Sequence, residues 1–295
     1  MVKPAPHAWL VTNRWLHWDK FEWQFAELIR AASRIGVQLE RVSTDEALAN
    51  LHTCGMDLPR VALIMDKDVA AVAQLDAAGV RTINSAAAIA ACDNKAYTHA
   101  VLSAAGIAHP QTCTAPLTYR NLGSEEWAAS AFVGAVENEL GYPAVAKRAV
   151  GSWGQGMELV RGREELIAFL HAAYPAPVIV EEYIARSHGR DARIYMVGRE
   201  PVAAMRRFGA DGDFRANITG GGRAEPWDPP AEYVDTARAA MGALGLHVGA
   251  VDFLDAQRPL VGEVNSNAQF ASLSEATGVD VASRVVRLLS QELDA

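Results

Sequence analysis

VGAVDFLD (248–255) and RPLVGEVN (258–265) are two largely apolar runs with a short break between them, and their reading decides the fold. Each reads as a strand, and so short a connection makes the pair an antiparallel hairpin. Asp252 stands amid Val248, Ala250, Val251, Phe253 and Leu254, where an unpaired charge would be expensive. Glu263 and Asn265 are two positions apart, so they project from one face of their strand, and the hairpin brings Asp252 to that face. Two carboxylates and an amide oxygen are hard donors, the set that suits Mg²⁺ keeping its waters and reaching nucleotide phosphates. The competing reading pairs both carboxylates with nearby arginines and leaves Asn265 to cap a turn.

Upstream, DARIYMVG (191–198) and EPVAAMRRF (200–208) read as two more strands meeting at Gly198. They bring Asp191, Arg193, Arg206 and Arg207 toward the acidic group, and the polar loop 209–222 adds Arg215 and Asn217. Arginines flanking an acidic metal cluster would neutralise phosphate and clamp carboxylates bidentately; taken singly, each makes an ordinary surface ion pair. Further back, PAVAKRAV (143–150) and MELVRG (157–162) form a hairpin around GSWGQGM (151–157). Gly151, Gly154 and Gly156 permit close approach to phosphates, Ser152 lies among them, and Trp153 at the tip suggests a lid over a ligand. The loop is not a Walker motif, because no Gly-Lys-Ser/Thr follows and it opens a strand. Lys147 on the strand before it, and Lys95 at a helix start in CDNKAYTH, can set ammonium groups against phosphate oxygens. VIVEEYI (178–184) is an apolar strand ending in Glu181, Glu182, Tyr183 and Ile184, whose backbone and carboxylates suit a purine nucleoside; a plain strand end or a solvated lysine is the commoner use of each feature. Consecutive hairpins plus helices predict an α+β unit with antiparallel sheets.

The first ninety residues have a different texture. AWLVT (8–12), VQLERVS (37–43), PRVALIMD (59–66) and VRTINS (80–85) read as strands, with helices over 19–32 and 69–78 between them. Short β units alternating with helices predict an open parallel α/β sheet. Such sheets take ligands at the carboxyl ends of their strands, where Asn13, Arg14 and Asp66 fall.

The whole chain has 295 residues, and 27 Lys+Arg against 35 Asp+Glu leave a net charge of −8. That acidic balance, with 21% charged and 50% hydrophobic residues, fits a globular protein and argues against a nucleic-acid or anionic-membrane partner. Cys54, Cys92 and Cys113 have no zinc spacing and read as free thiols. MVKPAPHAWLVTNRW lacks the apolar core of a signal peptide, and no apolar run reaches the ~20 residues of a membrane span; a cytoplasmic location is expected. The sequence contains no nucleophile elbow, HExxH or Rossmann GxGxxG, and its eight histidines read as surface or core residues.

Taken in order, INSAAAIAACDNKAYTHAVLSAAGIAHPQT, PAVAKRAVGSWGQGMELV, VIVEEYIARSHGRDARIYMVG, MRRFGADGDFRAN and VDFLDAQRPLVGEVNSNAQF resemble the ATP-grasp carboxylate–amine ligases, and within them the RimK-like branch. The resemblance implies an N-terminal open parallel α/β domain (1–92), a central α+β lobe with a glycine-rich lid (93–178) and a C-terminal α+β lobe with the Mg²⁺ site (179–295), the two lobes clasping ATP between antiparallel sheets. It implies that Lys95 and Lys147 contact the nucleotide, GSWGQGM covers the phosphates, and Glu182 and Tyr183 lie in the hinge that meets the adenine. Asp191 is similar to the acid near the ribose, and Arg215 and Asn217 to the phosphate-side pair. Asp252, Glu263 and Asn265 are similar to the ligands of two Mg²⁺ ions (Mn²⁺ being an admissible substitute), with Glu263 bridging. Arg207, ahead of Arg206, corresponds to the arginine that steadies the acyl phosphate and the tetrahedral intermediate.

The implied partners are ATP, an amino acid and a carboxylate acceptor that is a small molecule, a peptide or a protein C-terminus, with homo-oligomerisation left open. A dipeptide or natural-product ligase is the enzymatic rival, and a non-catalytic nucleotide-binding regulator the rival from another class. After EVN the glutamate-ligase branch continues Ala-Ser-Pro-Gly, whereas this chain reads SNAQF (266–270), more like the ligases that act on carrier proteins. Asn267 in that stretch and Gly221 in NITGGG (217–222) join Asn13 and Arg14 as substrate-side candidates. Trp9, Trp15, Trp18 and Trp23 make the N-terminal block richer in tryptophan than either branch. The net charge of −8 would repel a strongly acidic carrier protein and favours a small or weakly charged acceptor.

Overall fold

The computed structural model describes residues 6–53, 58–151, 156–210, 212–216, 221–254 and 257–295. The first sheet is parallel, in the order β2-β1-β3-β4, from β1 (His7–Thr12), β2 (Gln38–Ser43), β3 (Val61–Met65) and β4 (Arg81–Ile83). Every residue of β3 is buried, as expected of a parallel strand covered on both faces. Helices α1 (Asp19–Arg34), α2 (Thr44–Leu51) and α3 (Val69–Ala77) make the connections. Phe21, Phe25 and Leu28 of α1 recur at helical spacing and are buried, each contributing roughly 1.5–3 kcal/mol. The expected strands and the helices over 19–32 and 69–78 are present; α2 is additional, and begins at a Ser43/Glu46 capping box.

Helix α4 (Ala86–Asp93) ends at Asn94, which then caps α5 (Lys95–Ala104) by accepting from the Ala96 N–H. The central lobe follows, with α6 (Ser124–Ala128), α7 (Ala131–Ala135) and α8 (Arg163–Ala173) over an antiparallel sheet. Its strands β5 (Thr112–Thr114), β6 (Ala144–Arg148), β7 (Met157–Val160) and β8 (Val178–Glu182) lie in the order β5-β8-β6-β7. Because β8 pairs with β5 and β6, the central lobe extends through Glu182, and the boundary drawn after residue 178 cuts through a strand.

The third sheet is antiparallel with order β11-β10-β9-β12-β13, from β9 (Arg190–Val197), β10 (Glu200–Phe208), β11 (Arg223–Pro226), β12 (Val248–Leu254) and β13 (Leu260–Asn265). Helix α9 (Ala231–Ala243) covers one face, and α10 (Ala271–Thr277) and α11 (Val281–Asp294) return the chain to its start. One core joins Leu10 and Leu63 of the first sheet, Phe25 and Leu28 of α1, Val285 and Leu289 of α11, and Tyr195 and Met205 of the third sheet. The N-terminal unit is thus fused to the C-terminal lobe through α1 and α11, while the central lobe keeps a core of its own. The buried Asn84 reinforces the fusion: it donates to Val248 O at 2.7 Å and Ser266 O at 3.0 Å, and accepts from the His247 and Val248 N–H groups.

Candidate active site

Strand alternation sets the polarity of the third sheet. Tyr195 and Val197, Met205, and Val248 and Ala250 fill the core beneath the first sheet. Continuing along the same face, the next inward positions are Asp191 and Arg193 on β9, Arg207 on β10 and Asp252 on β12. There the apolar core stops and a cleft of about 590 Å³ opens, lined by residues of all three units.

Asp252 sits opposite Glu263 in the β12–β13 ladder, with Asn265 two positions along. Arg193 donates to both Asp252 oxygens at 2.7 Å, Arg207 approaches Oδ2 at 3.0 Å and the Asn265 amide donates to it at 3.2 Å. Arg207 also donates bidentately to Asp191 at 2.6 and 2.5 Å. The four charges form one buried, neutral quartet. Burial works against a charge on either acid, and the outcomes differ. Two guanidiniums overcome it at Asp252 and hold that carboxyl at about 2. At Asp191 burial prevails over its one direct partner, Arg207, and, with repulsion from Asp252, pushes the carboxyl above the usual range. Asp252 is therefore paired with arginines, as the competing reading has it.

Arg206, the neighbouring candidate, falls on the opposite face, where its guanidinium lies 5.5 Å from the Trp227 ring centroid. It is exposed and does not line the cleft, so adjacency in sequence separates the two arginines completely.

Across the cleft, Lys147 on β6 reaches Glu181 on β8 at 2.5 Å. Glu181 is only 3% exposed, and its other oxygen lies 3.1 Å from His99 Nε2. Burial opposes its charge, but Lys147 and His99 outweigh that and hold it at about 2. His99 Nδ1 is 2.8 Å from His109 Nδ1, whose Nε2 meets Ser103 Oγ at 2.7 Å. Burial first, and then His99, push His109 below the ordinary imidazole range. Lys95 joins the lobes: its ammonium is 3.3 Å from Glu263 and donates to Gly151 O at 2.9 Å. Its own N–H donates to Ala149 O, which fixes the start of α5 against the end of β6.

The other candidates divide. Glu182, Tyr183 and Ile184 line the cleft; Glu182 accepts from the Gln111 N–H at 3.1 Å, and the Tyr183 hydroxyl lies 2.6 Å from His188 Nδ1. Arg215 lines it while held by Asp213, and Asn13 and Asn267 line it from the N-terminal side. Arg14 turns away to pair with Asp45 at 2.8 Å, its side chain 58% exposed, and Gly221 does not reach the cleft. Gly156 has φ +67° and packs so tightly against Arg148 that a Cβ would collide with it. Ser152, Trp153, Gly154 and Asn217, and with them the tip of the expected lid, lie outside the described residues.

The residues that sequence reasoning missed as site residues are His99, His109 and the apolar group Trp15, Leu16, Trp18 and Phe21, which lines the mouth of the cleft. His99 is four residues beyond Lys95 on one helix, a spacing that places both on one face.

A model of the RimK-like ATP-grasp domain matches residues 92–289. The chain belongs to that family. It is an ATP-dependent carboxylate–amine ligase with the ATP-grasp fold. A protein named probable alpha-L-glutamate ligase from Picosynechococcus sp. is 33% identical over 225 residues, 75% of this chain and 71% of that one. Among solved structures, a RimK domain ATP-grasp protein from Sphaerobacter thermophilus superposes with TM-score 0.70 at 23% identity, covering 96% of this chain and 99% of that one. A D-alanine–D-alanine ligase from Bacillus anthracis, complexed with ATP, gives 0.72 at 17%, covering 99% and 98%. The ATP-grasp ligase PsnB, complexed with a minimal precursor, Mg and ADP, gives 0.69 at 16%, covering 98% of each. Among the described residues no helix is long and apolar enough to cross a membrane.

Proposed function

We propose that this ligase activates a carboxylate as an acyl phosphate and passes it to an amine, with the chemistry at the end of the cleft between Lys95, Lys147, Arg207, Asp252 and Glu263. The observation that carries this is Lys95, whose ammonium stands between Glu263 of the C-terminal sheet and Gly151 of the glycine-rich loop, where a triphosphate would span the lobes.

ATP would lie with its adenine at Glu181–Ile184 and its phosphates toward Lys95, Lys147 and Arg215. Lys147 is pre-positioned by a buried carboxylate, so it loses little freedom on meeting a phosphate oxygen. The substrate carboxylate attacks the γ-phosphorus and ADP leaves; the amine then attacks the acyl carbon, and inorganic phosphate departs with one of the original carboxylate oxygens. Arg207 faces the developing oxyanion, and Asp191 orients its guanidinium. This role replaces the ribose contact for Asp191, because Arg207 occupies both of its oxygens.

The donor set fits Mg²⁺: Glu263 and Asn265 present oxygens to the cleft, and Asp252 can exchange a guanidinium for a cation. Among the described residues no three His, Cys, Asp or Glu side chains converge as a ready-made cage, which suits an ion completed by phosphate oxygens and water. One or two such ions would screen the phosphates. The amine and carboxylate partners are small or weakly charged in this reading, because the net charge of −8 disfavours a strongly acidic protein.

The test is ADP formation with a panel of amino acids offered as amine and carboxylate. Release that depends on both partners, and is lost in Glu263→Gln, is expected; turnover by Glu263→Gln at the native rate would remove Glu263 from the cation site.

A further inference from the structure

Where the N-terminal unit lines the cleft, the wall is built from different material. Asn13 closes the carboxyl end of β1: its amide donates to both Asp66 oxygens at 3.3 Å, and its own oxygen accepts from the Trp15 N–H at 2.9 Å. That turn sets Trp15 on the rim, with Leu16, Trp18 and Phe21 following as the chain enters α1. Trp15 is 73% exposed and Trp18 43% exposed, so both indoles keep accessible surface along the cleft that they line. The segment directly after Asn265 adjoins this mouth: Asn267, Ala268 and Gln269 line the cleft, and the Gln269 amide donates to Lys20 O at 3.4 Å.

Of the two ammonium groups that line the cleft near the mouth, one is paired with a carboxylate and one with a hydroxyl. Lys20 donates to Ser272 Oγ at 3.2 Å, and Lys67 meets Asp93 at 2.5 Å. Asp66 accepts from Asn13, Thr44 and the Lys67 N–H. The cleft's guanidiniums, Arg190, Arg193, Arg207 and Arg215, all come from the third sheet and the loop after β10. An acidic side chain placed at the mouth would find no bidentate clamp there, only the single ammonium of Lys20 beside the ring faces. A planar or branched apolar side chain would cover both indoles and displace their water.

We propose that this mouth is the side-chain subsite for the amino acid or short peptide being joined, and that it selects an aromatic or large apolar side chain over an acidic one. The proposal rests on the ligase reading above and departs from the glutamate in the names of similar proteins.

The experiment measures ADP formation by the full chain with matched pairs that vary one partner through phenylalanine, tryptophan, leucine, glutamine and glutamate. The expected kcat/KM for the best aromatic or apolar partner exceeds that for glutamate by about tenfold or more. Trp15→Ala and Trp18→Ala should remove that margin through KM, Trp15→Phe should retain it, and ATP affinity should report that the phosphate end is intact. A preference for glutamate, or indole variants that slow all partners equally, would overturn the proposal. Absence of ADP with every pair would instead overturn the ligase reading, and the subsite with it.

Discussion

Two buried ion clusters face each other across the cleft, and they differ in how they are closed. On the C-terminal sheet two carboxylates and two guanidiniums satisfy one another. On the central sheet a single carboxylate, Glu181, is shared between Lys147 and His99. The proposed function requires the first to open: Asp252 has two guanidinium partners and would surrender one to a metal ion. The second works as a clamp, since Glu181 has nothing to exchange without releasing Lys147. In the proposed function the quartet serves the chemistry and the clamp places the nucleotide.

The largest effect expected from breaking this contrast is at Arg207. Arg207→Ala should lower kcat by about 10³-fold, with Arg207→Lys recovering part of it; a loss confined to the KM for ATP would move Arg207 out of the chemical step. Next is Glu181→Gln, expected to raise the ATP KM strongly and to lower unfolding stability by about 3 kcal/mol, because a buried ammonium loses its partner. Chemical denaturation alongside ATP titration separates the two effects. The pH dependence follows from the same group. Glu181 and Asp252 are held at about 2, below the ordinary 4.5 and 3.8, so their stabilisation is complete above those ordinary values and is lost as pH falls toward 2. A denaturation series from pH 5 to about 2.5 should show steady loss, and Glu181→Gln should flatten it.

A smaller change, about tenfold in ATP KM, is expected for His99→Ala, the worth of one hydrogen bond to a charged group. Its distance from the acyl transfer means that kcat should barely move. Smallest is Arg206→Ala, which removes a cation–π contact worth about 0.5–1 kcal/mol at the surface and leaves turnover at the native level.

Much of this was legible in the sequence. The alternating β and α texture of residues 8–85 and the hairpin 248–265 gave both sheet types, since period-two patterns survive folding directly. The trio Asp252, Glu263 and Asn265 was visible because two of its members share strand parity and the third stands in an apolar run. Which of Arg206 and Arg207 faces the cleft depended on which face of β10 meets the core beneath the first sheet, a tertiary fact. The His99–Glu181 contact spans 82 positions, and the aromatic mouth exists only because α11 and α1 fuse the ends of the chain. Strand β11 and helix α10 were missed because both are short and owe their order to packing.

The most direct test of the central claim is to supply the substrate carboxylate labelled with ¹⁸O and examine the inorganic phosphate formed. One labelled oxygen in each phosphate, released together with ADP, is the predicted result, since the carboxylate attacks the γ-phosphorus and surrenders that oxygen when the amine displaces phosphate. Phosphate free of label alongside amide product would contradict the account.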